Sequence, residues 1–219
     1  MKFWVELACK LLVQMSKKAV NAKFKPDASS LSYFERSVVF YKSYHNNETN
    51  QLIHMICIPL IAFTGFIFFA YTPEIAISYK EVTLPIIDLT IKLTYGNVIV
   101  SIYVIYYLLF EFPGLAGPLA AFLFISGSYY ANMLVLQNKE VIWKYALLIH
   151  ISAWLAQFYG HAVHEKRSPA LLDNLVQAFL SAPFFVLLEL MFSFGYRKQL
   201  QTKIDEYVKM NIEEFKKKK

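Results

Sequence analysis

Along this chain apolar and polar positions are gathered into blocks more than they alternate. Apolar runs cover about 52–71 (LIHMICIPLIAFTGFIFFAY), 96–112, 115–136 and 141–162. Each is near the roughly 20 residues a helix needs to cross a bilayer. PGLAGP and QNKE supply the turns after the second and third runs. Residues 72–95 contain two prolines and scattered charges and read as a loop or re-entrant segment. The late run ALLDNLVQAFLSAPFFVLLELMFSFGY carries Asp173, Asn174 and Gln177 in its first half and Pro183 in its second. It reads as interfacial or re-entrant, with a fifth crossing as the alternative.

Ahead of the first run, residues 1–30 read as an amphipathic helix, and YFERSVVFYKSYH as a second helix suited to the membrane surface. NNETN breaks that helix, and Thr49 or Asn50 is expected to cap the next one. The pattern therefore predicts an all-α polytopic membrane bundle with about four, alternatively five, transmembrane helices. It forms a single domain: an interfacial region over 1–50, a transmembrane core over 51–194 and a basic tail over 195–219.

Composition supports the membrane class. The chain is 57% hydrophobic and 17% charged, where soluble domains are nearer 45–50% and about 25%. The net charge of +6 gathers at the ends, in six lysines between Lys2 and Lys25 and in the closing FKKKK. Beside spans, such cations face anionic lipid. No aromatic-interleaved basic patch accompanies them, so nucleic acid is not an expected partner. The two cysteines, Cys9 and Cys57, form no disulfide framework. At the N-terminus Glu6 and Lys10 interrupt the apolar stretch and no small-residue cleavage site follows, so it is expected to be retained.

With four crossings both basic termini share one face. The start of the first span and the end of the fourth then meet there, bringing together four of the chain's five histidines: His45, His54, His161 and His164. At about 100° per residue, His45 and His54 oppose each other on one continuous helix, so they can face a common centre only because NNETN breaks it. His161, His164 and Glu165 fall within about 60° of one another on a helix. Gln157, Trp154 and His150 continue the same face, His150 roughly 16 Å away and out of reach of a shared ion. Ionisable groups at membrane depth usually face the bundle interior. Neutral imidazole suits iron, zinc or copper, and oxygen-chemistry iron sites combine histidines with a carboxylate and open positions. No Ser–His–Asp order, phosphate-cradling loop or HxxHH box is present.

Two stretches carry a resemblance. YKSYHNNETNQLIHMICIPLI (41–61) resembles YxxYHxNPxNxxIHxxxxP, and WLAQFYGHAVHEKRSPALLDNLVQAFLSAPFFVLLELMF (154–192) resembles WxxQFxGHxxFEKRxPALxDNLVQxxxxAPxF. Through them the chain resembles the 2-hydroxy fatty acid dioxygenases, small membrane proteins of the endoplasmic reticulum. The resemblance implies Fe(II), O2 and a 2-hydroxy fatty acid from phytosphingosine breakdown, shortened by one carbon in α-oxidation. It implies His45, His54 and His161 as metal ligands, to which clustering adds His164. It also implies Glu165, Asp173 and Asn174 as candidate catalytic groups that support the ligands or orient substrate.

The chain departs from the pattern at Asn47-Glu48, where the family has Asn-Pro, and at His164, where Phe is common. LVLQNKEVIW also lacks a histidine that the family carries after the third span. These departures keep open a second reading, a non-catalytic accessory or lipid-binding subunit of a larger membrane protein complex. A dilysine-like KKKK end agrees with the endoplasmic reticulum; the basic amphipathic N-terminus leaves the mitochondrial inner membrane as the alternative.

Overall fold

Helix α1 (Tyr33–Tyr44) starts from a reciprocal cap in which Ser32 Oγ accepts from the Glu35 backbone and Glu35 accepts from the Ser32 backbone. It ends at His45, whose non-helical backbone leads into a second cap. There the Asn47 side chain accepts from the backbone N–H groups of Thr49 and Asn50, opening α2 (Glu48–Ala70). The cap is thus Asn47, not Thr49 or Asn50, because only Asn47 precedes the first helical turn. The remaining helices are α3 (Tyr95–Phe110), α4 (Ala116–Asn138), α5 (Ile142–Tyr159), α6 (Ala182–Ser193) and α7 (Lys198–Lys217). This computed structural model describes residues 30–73, 82–84, 89–91, 94–166 and 177–217. The expected N-terminal helix and the candidates Asp173 and Asn174 lie outside the described residues.

The fold is an all-α bundle with one small addition: within 72–95 a short antiparallel hairpin pairs Val82–Leu84 with Leu89–Ile91. All four apolar runs form helices. Among the described residues, α2 and α4, 23 residues each, are long and apolar enough to cross a membrane, and the segments flanking a 116° bend, Phe179–Ser193 and Lys198–Glu214, add a third if counted as one. α3 stops at 16 residues, about 24 Å at the helical rise against a roughly 30 Å hydrocarbon core. α5 carries Lys144, His150 and Gln157 within its 18 residues. Leu52, Ile56 and Leu60 form an exposed stripe on α2, and Leu148, Ile151 and Leu155 one on α5. Apolar faces of this extent belong against lipid, and the chain is a membrane protein.

Packing centres on an aromatic cluster in which Phe34, Phe110 and Phe184 meet edge to face at 5.2–6.1 Å. The C-terminal segment expected as a basic tail is instead the amphipathic α7. It buries Leu200, Ile204 and Val208 in the core and lies along α1. Lys203 pairs with Glu35 at 2.8 Å, Lys42 pairs with Asp205, and Asn211 donates to Ser43 at 3.2 Å.

Candidate metal centre

Three local devices bring the histidines together. His45 is the residue after α1, where the chain turns; His54 lies on the second turn of α2; His161 lies just beyond α5. The chain does not continue α5 as an α-helix there. Residues Gly160–Glu165 form a π-helical turn, closed by the Lys166 N–H donating to the His161 carbonyl. Such turns widen the helix and re-aim side chains. Gly160 is required at this point: a Cβ would run into Asn50 Oδ1 and approach Ile53 Cδ1 at 3.3 Å.

All three imidazoles are buried, at 5%, 3% and 4% exposure for His45, His54 and His161. Their ring centroids are 4.4, 4.9 and 4.9 Å apart, and one nitrogen from each lies within 4.8 Å of the others. His45 Nδ1 sits 2.8 Å from the Tyr41 carbonyl and His54 Nδ1 sits 2.9 Å from the Asn50 carbonyl. A carbonyl only accepts, so each Nδ1 carries the proton and each Nε2 keeps its lone pair. Fixing the tautomer through the far nitrogen is the usual arrangement of a metal-ligating histidine. The donor set therefore fits a divalent transition ion.

Glu165 does not join the ring of imidazoles. Its carboxylate accepts from the backbone N–H of Asn46 at 2.9 Å, that of Asn47 at 3.0 Å and Asn50 Nδ2 at 3.3 Å. It thereby pins the end of the π turn to the break between α1 and α2, at the electropositive start of α2. Gln51 ties the same break from the other side, its Nε2 donating to the His45 carbonyl at 2.7 Å.

His164 is not in the cluster. It is half-buried with its ring on Tyr159, 5.5 Å between centroids. The expectation that it shares a face with His161 assumed α-helical spacing. In a π turn of about 4.4 residues, position i+3 swings more than 100° away while i+4 stays close. Glu165 keeps its side and His164 loses it. His150 is likewise separate, hydrogen-bonded to Thr64 and Trp154. Tyr41, not singled out beforehand, and Asn50, expected only as a cap, hold the two imidazoles; each stands four residues before its histidine, the spacing that places a helical carbonyl beside a side chain.

The structure thus defines a helical membrane protein with a buried three-histidine cluster at one end of its bundle. Residues 31–194 match the profile described as 2-hydroxy-palmitic acid dioxygenase Mpo1-like, and the chain belongs to this Mpo1-like family. The 2-hydroxy-palmitic acid dioxygenase MPO1 of Saccharomyces cerevisiae is 31% identical to it over 167 residues, 76% of this chain and 84% of that protein. No solved structure gives a significant match.

Proposed function

We propose that this protein is a membrane dioxygenase that shortens 2-hydroxy fatty acids by one carbon, using Fe(II) held by His45, His54 and His161. The observation that carries this reading is the buried cluster of three imidazoles, two with their tautomers set, in a chain of the Mpo1-like family. Loss of one carbon with O2 as oxidant balances as 2-hydroxy acid plus O2 giving the acid one carbon shorter, CO2 and water. When bound, the ion supplies the Lewis-acid and one-electron chemistry that O2 requires.

The chain's own residues prepare the site. The Tyr41 and Asn50 carbonyls hold the Nδ1 protons, so both rings present Nε2. Glu165 fixes the spacing between the segment carrying His161 and the one carrying His45 and His54. Burial of all three rings keeps bulk water from the donors. Lys166, exposed at the end of the π turn, adds positive charge where an acid head group arrives. Asp173 and Asn174 are proposed as substrate-orienting groups on motif position alone.

The test is direct. Purified full-length protein supplied with Fe(II), O2 and 2-hydroxypalmitate is expected to release the fifteen-carbon acid, and His161→Ala to lose both iron and product. Absence of that product from a preparation that retains iron refutes the reaction. The endoplasmic reticulum is the proposed compartment, on the resemblance; a tagged chain that fractionates with mitochondria would contradict it.

A further inference from the structure

One helical turn beyond His54 on α2, and one turn before His161 on α5, a cavity of about 480 Å3 opens between α2, α5 and the start of α6. Its volume lies in the range of small-molecule sites, about 300–1,000 Å3. Ile58 and Gln157 line the end next to the histidines, and Phe69 and His150 line the other. From Ile58 to Phe69 the wall runs roughly 16 Å at the helical rise.

The wall is apolar in effect even where its residues are not. Trp154 Nε1–H donates to His150 Nε2 at 3.1 Å, so His150 Nδ1 carries the proton and donates to Thr64 Oγ1 at 2.7 Å. The Thr64 hydroxyl donates in turn to the Leu60 carbonyl at 2.8 Å. These groups satisfy one another, and the other lining residues are mostly apolar or aromatic, among them Ile61, Phe66 and Phe68, which suits an alkyl chain better than a polar ligand.

Gly65 lines the same cavity, inside α2 and before its last turn. A Cβ built there meets nothing within 4 Å, whereas one at Gly96, Gly117, Gly127 or Gly160 would collide with a neighbour. Close helix packing therefore does not require glycine at 65, although glycine is a poor residue for a helix interior. The missing side chain corresponds to open cavity.

We propose that this cavity holds the alkyl tail of the molecule whose head group reaches the three histidines, and that Gly65 determines how long a tail fits. The proposal rests on the function proposed above and adds the part of the protein that reads chain length. Gly65→Leu places a side chain across the cavity about 16 Å along α2 from His54, without touching the histidines or their partners.

Two readouts are taken on full-length protein in detergent, in a background carrying Trp4→Phe and Trp143→Phe so that Trp154 is the remaining tryptophan. The first is the ratio of kcat/KM for 2-hydroxypalmitate to that for 2-hydroxydecanoate. The second is quenching of Trp154 by a 2-hydroxy acid brominated along its tail. Each methylene excluded is worth about fourfold, from ~0.8 kcal/mol per buried CH2, so exclusion of even two shifts the ratio about 15-fold toward the shorter acid. Quenching is expected in the unsubstituted chain, reversed by unbrominated 2-hydroxypalmitate and weakened to a similar degree by Gly65→Leu. A variant with unchanged ratio and unchanged quenching overturns the proposal. So does equal quenching by a brominated phospholipid that 2-hydroxypalmitate fails to displace, which would make the cavity a site for bilayer lipid. Quenching that behaves as expected without any shortened product leaves the tail site standing and removes the reaction instead.

Discussion

Replacing Glu165 by alanine tests whether the histidine cluster is held from outside its own ring of donors. Two backbone N–H groups, at 2.9 and 3.0 Å, and one longer amide contact at 3.3 Å lose their acceptor. Hydrogen bonds to a charged partner contribute about 1.5–3 kcal/mol each. A carboxylate at a helix start adds about 0.3–1 kcal/mol. The lower ends for the two backbone bonds and the helix start come to roughly 3 kcal/mol, and because Glu165 is half-buried water refills the freed donors and returns about a third of it. A net loss of about 2 kcal/mol follows, which is roughly 30-fold in an equilibrium constant. Because the carboxylate joins the chain segment of His161 to that of His45 and His54, the loss should fall on metal affinity. The value lies within the 10–100-fold usual for residues that orient ligands. Metal titration of the purified variant, read beside His161→Ala, is the assay. Full metal affinity in Glu165→Ala would refute the idea that this carboxylate spaces the histidines.

Three further outcomes are expected. Burial pushes the Glu35 carboxyl up, but hydrogen bonds from Lys203 and from Ser32 outweigh it and hold the group below its ordinary range. A depressed carboxyl stabilises the fold above its unfolded-state pKa and loses that contribution as pH falls through the folded value. Proteolysis of α7 should therefore accelerate in acid, and Glu35→Gln should flatten the dependence; an unaltered profile counts against the pairing with Lys203. His164→Phe should keep wild-type metal content, since its ring lies on Tyr159; a drop in bound metal would place that ring in the cluster after all. Gly160→Ala drives a methyl into Asn50 Oδ1 and should cost about 1–3 kcal/mol, seen as a lower unfolding midpoint, whereas Gly65→Ala meets open space and should show no such drop.

The parts legible in the sequence were those that one helix or one break determines. His45 and His54 could be assigned to a common centre because NNETN had to interrupt the helix between them, and the Asn47 cap supplies that interruption. His161 followed from where the fourth apolar run ends. The π turn was not legible: a single widened turn depends on Gly160 packing against Asn50, a contact between residues 110 positions apart in the chain. That one unseen feature moved His164 out of the site and left Glu165 in place. α7 hid behind its lysines, although Leu200, Ile204 and Val208 at four-residue intervals already marked a buried face. Hydropathy runs ignore where helices stop: the second run ends as α3 at the Glu111–Pro113 corner, shorter than the run itself suggested. A cavity has no sequence signature of its own, and Gly65 gained its meaning only from the open space beside it.

The family match ends at residue 194, and α7 begins at Lys198. A boundary drawn by likeness therefore falls between α1 and the helix that covers it. A fragment trimmed to the matched region would keep all three histidines and yet strip Leu200, Ile204 and Val208 from the cluster that includes Phe34 and Val38. It would also free Lys42 and Glu35 of their partners. Since α1 delivers His45 at its last turn, slack introduced at the C-terminus would be felt some 160 residues upstream in sequence, roughly the separation of the Glu35–Lys203 pair. For this protein the unit of likeness is smaller than the unit that folds.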